Sequence, residues 1–239
     1  MADGIQEIVR AGDKDLFLST LFCPAERQVD LFALWAFHTE ISRIPLLVSE
    51  AQIGEIRLQW WADTVEAIAR GESPDHPVAR ALADVVQQHR LPTGPLLAFV
   101  EAKRRDLYAD RFPDVAALEG YLGQATSIFL QLAAMIIAPQ LASGASEAAG
   151  YGGVSFGLAR GLALHGDRFI PSGLSKDEAM AHGRKRLAQA QAAINALPKQ
   201  LFPVMLPVAL SDLYFTQGRT PPQWRRQWRL YWAARREQV

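Results

Sequence analysis

The segment Ala25–Ile44 reads AERQVDLFALWAFHTEISRI and is followed directly by Pro45. Its apolar residues recur at helical spacing, so the sequence predicts a helix from about residue 25 to 44 that Pro45 ends or kinks. The apolar face is broad, which predicts a helix at the centre of the fold. On that face we expect Val29, Leu31, Phe32, Leu34, Trp35, Phe37 and Ile41.

Helical patterns continue on both sides of this segment, and hairpin turns between alternating apolar runs are missing. The Gly-rich stretch Ala142–Gly161 indicates close approach by another helix or a ligand, because glycines weaken an isolated helix. Ser175 and Glu178 have the spacing of a capping box. We therefore predict one all-α domain, residues 1–239, of roughly nine helices. The other helices are expected at about 13–22, 50–70, 75–89, 92–111, 114–139, 175–197, 202–216 and 223–237.

The composition excludes several classes of protein. Lys plus Arg and Asp plus Glu both number 25, so the net charge gives no general attraction to nucleic acid. Cys23 is the single cysteine, and no two of the 5 histidines have helical ligand spacing, so we expect no metal site. The longest apolar run, near 128–139, is shorter than the about 20 residues that span a bilayer. We expect a cytoplasmic protein, with a peripheral position on the inner face of the membrane as a further option.

Three segments together resemble a known family. They are ALWAFHTEISRI at 33–44, IGEIRLQWWAD at 53–63, and GVSFGLARGL at 153–162, which is followed by DRFIP at 167–171. In this order and spacing they resemble the squalene/phytoene synthase family from about residue 15 to 236. The resemblance implies an isoprenoid-synthase-like helical bundle around a central cavity. Active members join prenyl diphosphates, and two Asp-rich motifs hold the Mg²⁺ that grips the diphosphate oxygens.

This chain departs from both motifs. Ser42 and Leu46 stand where the first pair of aspartates is expected, and Arg43 matches the aspartate that often follows. In the second motif Gly157 and Arg160 replace Gln and Asn, and Leu164 replaces the first aspartate. An arginine at a magnesium position repels that ion. We therefore predict no catalytic residue, no metal ligand and no cofactor.

The sequences of residues 36–44 and 53–61 more closely resemble a divergent branch of the family. That branch includes mitochondrial complex I assembly factors and their bacterial relatives. The resemblance implies a non-catalytic factor that binds an isoprenoid or other lipid, or that helps to assemble a membrane complex, in a bacterium. One alternative is an active prenyl-diphosphate transferase whose Mg²⁺ is held by replacement ligands; another is a purely structural partner in respiratory-complex assembly. The candidate replacement ligands are Glu40, Asp63, Asp106 and Asp110.

A set of polar and aromatic residues on the second and third expected helices forms the candidate ligand site. Its charged members would grip an anionic head group without metal, because arginine binds such groups bidentately. The alternative is a buried ion-pair network that only orients the helices. The two tryptophans would line a lipid pocket, or one would enter the core and one lie at its edge. The set consists of His38, Glu40, Arg43, Arg57, Trp60, Trp61 and Asp63.

The segment 219–239 is a Trp- and Arg-rich C-terminal helix. Trp224, Trp228 and Trp232 recur every four residues, Tyr231 lies three residues after Trp228, and arginines surround them. Aromatic rings at head-group depth with arginines near phosphate are typical of a membrane interface. The alternative is that the stripe packs on its own domain. The candidate membrane contacts are Trp224, Trp228, Trp232, Arg225 and Arg229, with Tyr231 in the same stripe.

Overall fold

The structure is a computed structural model that describes residues 2–108 and 110–239. Within those ranges the regular structure is helical and contains no strand, which confirms the predicted all-α class. The chain divides into two compact units, Met1–Ala109 and Asp110–Val239. That the chain forms a single domain stays a prediction.

The first unit is organised around α3, which contacts α1, α2, α4, α5 and α6. The expected apolar face is buried from Leu31 to Ile41, where the named side chains are at most 4% exposed. The expectation for Val29 is wrong: it is 59% exposed, because it lies near the helix start, before α3 enters the core. The helices are α1 (Ala2–Gly12), α2 (Lys14–Thr20), α3 (Ala25–Leu47), α4 (Ala51–Ala69), α5 (Pro77–His89) and α6 (Gly94–Arg104).

Two helix boundaries in this unit differ from the predictions. α3 continues through Pro45 to Leu47, although Pro45 has no N–H to donate to the carbonyl of Ile41. α6 ends at Arg104 in a short 3-10 turn, whereas the sequence predicted a helix to residue 111. Part of that predicted range, residue 109, lies outside the described residues.

The structure also contains α1, which lies before the first helix that the sequence predicts. Ile5 and Val9 of α1 are buried, and the spacing of Ile5, Ile8 and Val9 is the helical signal that could have revealed it. The carboxylate of Asp13 then accepts hydrogen bonds from the backbone N–H groups of residues 15 and 16 and caps α2.

The second unit is organised around α9, which contacts α7, α8, α10, α11 and α12. The predicted capping box is confirmed, because Ser175 and Glu178 bond reciprocally at the start of α10. The predicted helix 202–216 is wrong in one respect: it is broken into α11, a 3-10 turn and α12, since Pro207 lacks the N–H that a continuous helix would bond to the carbonyl of Pro203. The helices are α7 (Val115–Leu122), α8 (Ile128–Ile137), α9 (Ser146–His165), α10 (Lys176–Asn195), α11 (Phe202–Met205), α12 (Ser211–Gln217) and α13 (Gln223–Arg236).

One wide turn, Gly123–Ser127, joins α7 and α8 into a continuous helix, as the sequence predicted. This helix, Val115–Ile137, is long and apolar enough to cross a membrane by length and composition alone. The helix is longer than the apolar run at 128–139, from which the sequence analysis predicted that no segment spans a membrane. More than half of its most apolar window is buried inside the protein, as in the core helix of a soluble domain.

Candidate functional site

The positions that the family resemblance matches to the first metal motif lie on the last turns of α3. Leu46 is 71% exposed, while Ser42 and Arg43 are half-buried. Together these three residues offer one hydroxyl, one guanidinium and one alkyl group. Mg²⁺ prefers carboxylate oxygens, so this donor set does not fit a magnesium ion bound to diphosphate. Across residues 2–108 and 110–239, no group of three or more His, Cys, Asp or Glu side chains could hold a metal ion.

The four charged residues of the candidate ligand site are not joined to one another. Glu40 and Arg43 are half-buried on α3, whereas Arg57 and Asp63 are exposed on α4. In the described part of the chain no hydrogen bond or ion pair connects these four side chains. Asp63 instead accepts a hydrogen bond of 2.8 Å from Gln59, one turn earlier on α4. The alternative of an ion-pair network among these four is therefore not what the structure shows.

A polar network does join α4 to α6, and its centre is Arg104, which is not in the predicted candidate ligand site. Arg104 donates to Glu55 and, at 2.7 Å, to Gln59, and it pairs with Glu101 at 2.8 Å. These bonds, those from Glu101 and Glu55 foremost, raise the pKa of Arg104 despite partial burial. Glu55, Gln59 and Asp63 recur every four residues on α4, and that spacing was the signal for a shared polar face.

The two adjacent tryptophans separate as one of the two sequence interpretations expected. Trp61 is 5% exposed and lies edge-on to Phe37, with ring centroids 5.5 Å apart. Trp60 is 44% exposed, and both indoles contact the ring of His76, at 5.4 Å and 5.2 Å. Trp61 is therefore a core residue, and Trp60 is the member of the pair that can reach a ligand.

Around Trp60 the surface of α4 is unusually apolar. Ile53 and Ile56 are exposed at the spacing that places them on the same side of the helix as Trp60. The exposed Arg57 lies in the same stripe. His38, by contrast, is half-buried on α3 and stacks on Phe99 at 5.1 Å, so it contributes to aromatic packing in the unit.

In the second unit, the glycines of α9 lie where neighbouring segments approach the helix closely. These glycines belong to the segment that the family resemblance matches to the second motif. A Cβ on Gly157 would lie 2.7 Å from both Leu122 and Thr126, and Cβ atoms on Gly153 and Gly161 would collide with Ser127 and Phe169. These neighbours belong to the protein itself. The small residues therefore serve close approach by neighbouring segments, which was one of the two expectations.

The other two residues that the resemblance matches to the second motif, Arg160 and Leu164 on α9, are not carboxylates. The guanidinium of Arg160 lies 5.2 Å from the centre of the Phe156 ring. Leu164 is 53% exposed near the end of the helix. An arginine held over an aromatic ring and an exposed leucine leave this helix without a hard-cation ligand at the aligned positions.

The C-terminal helix α13 turns its aromatic stripe away from its own domain. Leu230 and Ala233 are buried, and Arg229 donates a hydrogen bond of 2.9 Å from Nε to the carbonyl of Ala209. The opposite face is exposed and carries Trp224, Trp228, Tyr231 and Trp232, each at least 42% exposed. The alternative in which this stripe packs on the domain is therefore wrong.

Comparisons with known proteins agree with this fold. The family model for squalene/phytoene synthases matches residues 9–164. Human and bovine NADH dehydrogenase (ubiquinone) complex I assembly factor 6 are each 32% identical over 183 residues, covering 74% of this chain and 54% of theirs. The rat protein of the same name is 32% identical over 126 residues, covering 53% of this chain and 38% of its own. The chain spans about half the length of the human and bovine relatives that it matches.

Two solved structures share the architecture across nearly the whole chain. A dehydrosqualene synthase in complex with ligand superposes with a TM-score of 0.79 at 12% identity, covering 99% of this chain and 95% of its own. Squalene synthase HpnC from Alicyclobacillus acidocaldarius gives 0.70 at 15% identity, with coverage of 98% and 93%. At such low identity these two likenesses establish the fold, while the match over residues 9–164 establishes more: the chain belongs to the squalene/phytoene synthase family.

Proposed function

We propose that this protein is a non-catalytic assembly factor for a respiratory NADH dehydrogenase complex. The observation that carries the proposal is the 32% identity to assembly factor 6 over 74% of the chain. The chemistry of α3 supports it, because Ser42, Arg43 and Leu46 stand where a synthase of this family needs carboxylates. Those three positions then supply no carboxylate oxygen for the ions that stabilise a departing diphosphate.

The competing proposal is an active prenyl-diphosphate transferase with replacement ligands. In the first unit two of the candidate ligands already have partners, since Asp63 accepts a hydrogen bond from Gln59 and Asp106 pairs with Lys103 at 2.9 Å. Glu40 is half-buried on α3. A magnesium ion would have to compete with those partners for the two aspartates, which disfavours this alternative.

Isothermal titration of the whole protein with a farnesyl diphosphate analogue, with and without Mg²⁺, separates the two proposals. We expect no Mg²⁺-dependent binding. Tight binding that requires Mg²⁺ and is lost in Glu40→Gln or Asp63→Asn would support the transferase. The matched control is Asp84→Asn, an exposed aspartate on α5 outside the candidate ligand set.

The assembly role is tested in the source organism. Deleting the gene should reduce the amount of assembled NADH dehydrogenase complex on native gels, and the wild-type gene and Asp63→Asn should both restore it. An unchanged amount of assembled complex in the deletion strain would refute the assembly role. A purely structural part in assembly would show the same restoration without any lipid ligand.

The isoprenoid or other lipid ligand, together with a peripheral position at the membrane, belongs to the same proposal. On α4 the exposed groups suited to such a ligand are the indole of Trp60 and the guanidinium of Arg57. Titration with farnesol should change the tryptophan fluorescence of the wild type but not that of Trp60→Phe. An equal change in both proteins would place the ligand elsewhere.

A further inference from the structure

The exposed face of α13 combines apolar rings with positive charge. Trp228 and Trp232 stack at 6.3 Å with an angle of 18° between their planes, and Tyr231 contacts both rings. These three rings form one contiguous aromatic surface, and the exposed Trp224 lies one helical turn before Trp228. Contiguous exposed apolar surfaces of this kind mark interaction sites.

The charge of α13 differs sharply from that of the whole chain. The chain has a formal net charge of zero, whereas Gln223–Arg236 contains five arginines and no acidic residue. Arg225, Arg235 and Arg236 are exposed together with the aromatic rings. The guanidinium groups of Arg225 and Arg236 lie 5.2 Å from the ring centres of Trp224 and Trp232. This helix therefore offers a local cationic surface that the net charge conceals.

We infer that α13 docks the protein onto a bilayer that carries anionic phospholipid. Indole and phenol rings are amphipathic and favour the depth of the head groups, and exposed arginines beside them reach lipid phosphates. Arg229 has a different role. Its bond to the Ala209 carbonyl anchors the helix to the domain, so it is not among the arginines that meet the phosphates. The inference rests on the proposed function for its biological setting and specifies the lipid chemistry involved.

A lipid surface fits these observations better than a nucleic acid or an acidic protein. Proteins that bind single-stranded nucleic acid stack the bases on free faces of aromatic side chains. The rings of Trp228, Tyr231 and Trp232 instead contact one another. Protein interfaces in turn place aromatic residues in pockets of the partner. Contiguous exposed rings flanked by arginines match a membrane interface, where an apolar layer lies next to charged head groups.

The test measures co-sedimentation of the full-length protein with vesicles of phosphatidylcholine alone or mixed with phosphatidylglycerol. We expect binding only to the mixed vesicles. Each of Arg225→Gln and Arg235→Gln should weaken that binding about fivefold, as expected for one basic residue near an anionic surface. Trp224→Ala combined with Trp228→Ala should weaken it by about tenfold or more, because two exposed rings lose their interfacial burial.

Two matched controls separate α13 from a general surface effect. Lys185→Gln removes an exposed cation from α10, and Phe22→Ala removes an aromatic ring that is 38% exposed outside α13. Both should leave vesicle binding within about twofold of the wild type. Circular dichroism of each variant confirms that the helices are intact, since every substituted side chain is exposed.

Three outcomes would overturn the inference: equal binding to both kinds of vesicle, binding that the α13 variants leave unchanged, or tighter α13-dependent binding to double-stranded DNA than to vesicles. Because the assay uses purified protein, it is independent of the assembly role. A deletion strain with normal complex, combined with α13-dependent vesicle binding, refutes the proposed function alone. Impaired assembly without vesicle binding refutes this inference alone.

Discussion

Two identical substitutions three residues apart in α9 should change stability in opposite directions. At Gly153 an added Cβ would collide with Cα and Oγ of Ser127 and lie 2.6 Å from its backbone nitrogen. Ser127 belongs to the wide turn between α7 and α8, and its backbone cannot rotate away as a side chain can. At Gly150 an added Cβ would meet no atom within 4 Å.

The magnitude follows from two opposing effects. Overpacking a core costs about 1–3 kcal/mol, and Gly153→Ala belongs at the upper end because backbone must shift. Alanine is more favourable than glycine inside a helix by about 1 kcal/mol, which offsets part of that cost at position 153 and remains in full at position 150. We therefore expect the free energies of unfolding of the two variants to differ by about 3 kcal/mol, with Gly150→Ala the more stable.

Urea denaturation followed by far-ultraviolet circular dichroism measures this difference. The dependence of the unfolding free energy on urea should be equal in both variants, so that the shift in midpoint reports stability alone. If Gly153→Ala is as stable as Gly150→Ala, the reasoning fails, and the small residues of α9 do not serve contact with the wide turn. The space beside Gly153 would then be available to a ligand.

Two further predictions concern ionisable groups. Burial raises the pKa of the Cys23 thiol to about 12, so a disulfide reagent should modify the native protein far more slowly than the urea-unfolded protein; equal rates would contradict this. Burial alone would raise the pKa of Glu119, but hydrogen bonds from Arg186 and His182 outweigh it and lower the pKa below 4.5. A carboxylate with a lowered folded pKa stabilises the fold above its ordinary pKa and loses that contribution as the pH falls through the folded value. Glu119→Gln should therefore cost about 2 kcal/mol at neutral pH and progressively less in acid, measured by urea denaturation across the pH range; a cost that does not change with pH would contradict the reasoning.

Most of the fold could be predicted because helical periodicity and the signals that start and stop helices are local properties of the sequence. The capping box at Ser175, the helix stop at Gly71 and the Pro77 start of α5 each act within a few residues of where they occur. The prolines of the broken helix, Pro203 and Pro207, are also local signals. They were overlooked because the apolar pattern of residues 202–216 continues across both of them. The predicted burial of Val29 was wrong for a different reason. Apolar periodicity shows which side of a helix is apolar, but it does not show where along that helix its neighbours end.

The candidate site was harder to predict because it depends on pairing between helices. Glu55 and Arg104 are 49 positions apart, and nothing in the local sequence selects one partner for the other. The same ambiguity applied to the four charged residues of the candidate ligand site, which share two consecutive helices without bonding to one another. For α13 the sequence supplied the aromatic stripe, but only packing around Leu230 and Ala233 decides which face is exposed.

Fold and chemistry in this family depend on different residues of the same helix. In α3 the side chains that build the core, such as Leu34, Phe37 and Ile41, are fully buried, whereas Ser42 and Leu46 lie at less buried positions near the helix end. A hydroxyl and an alkyl group in place of the carboxylates that the family resemblance predicts there would remove no buried apolar surface. The backbone can therefore superpose on a dehydrosqualene synthase with a TM-score of 0.79 whether or not metal chemistry is possible. Function in this chain therefore has to be argued from the side chains at the helix end and from α13, and not from the buried core that sets the fold.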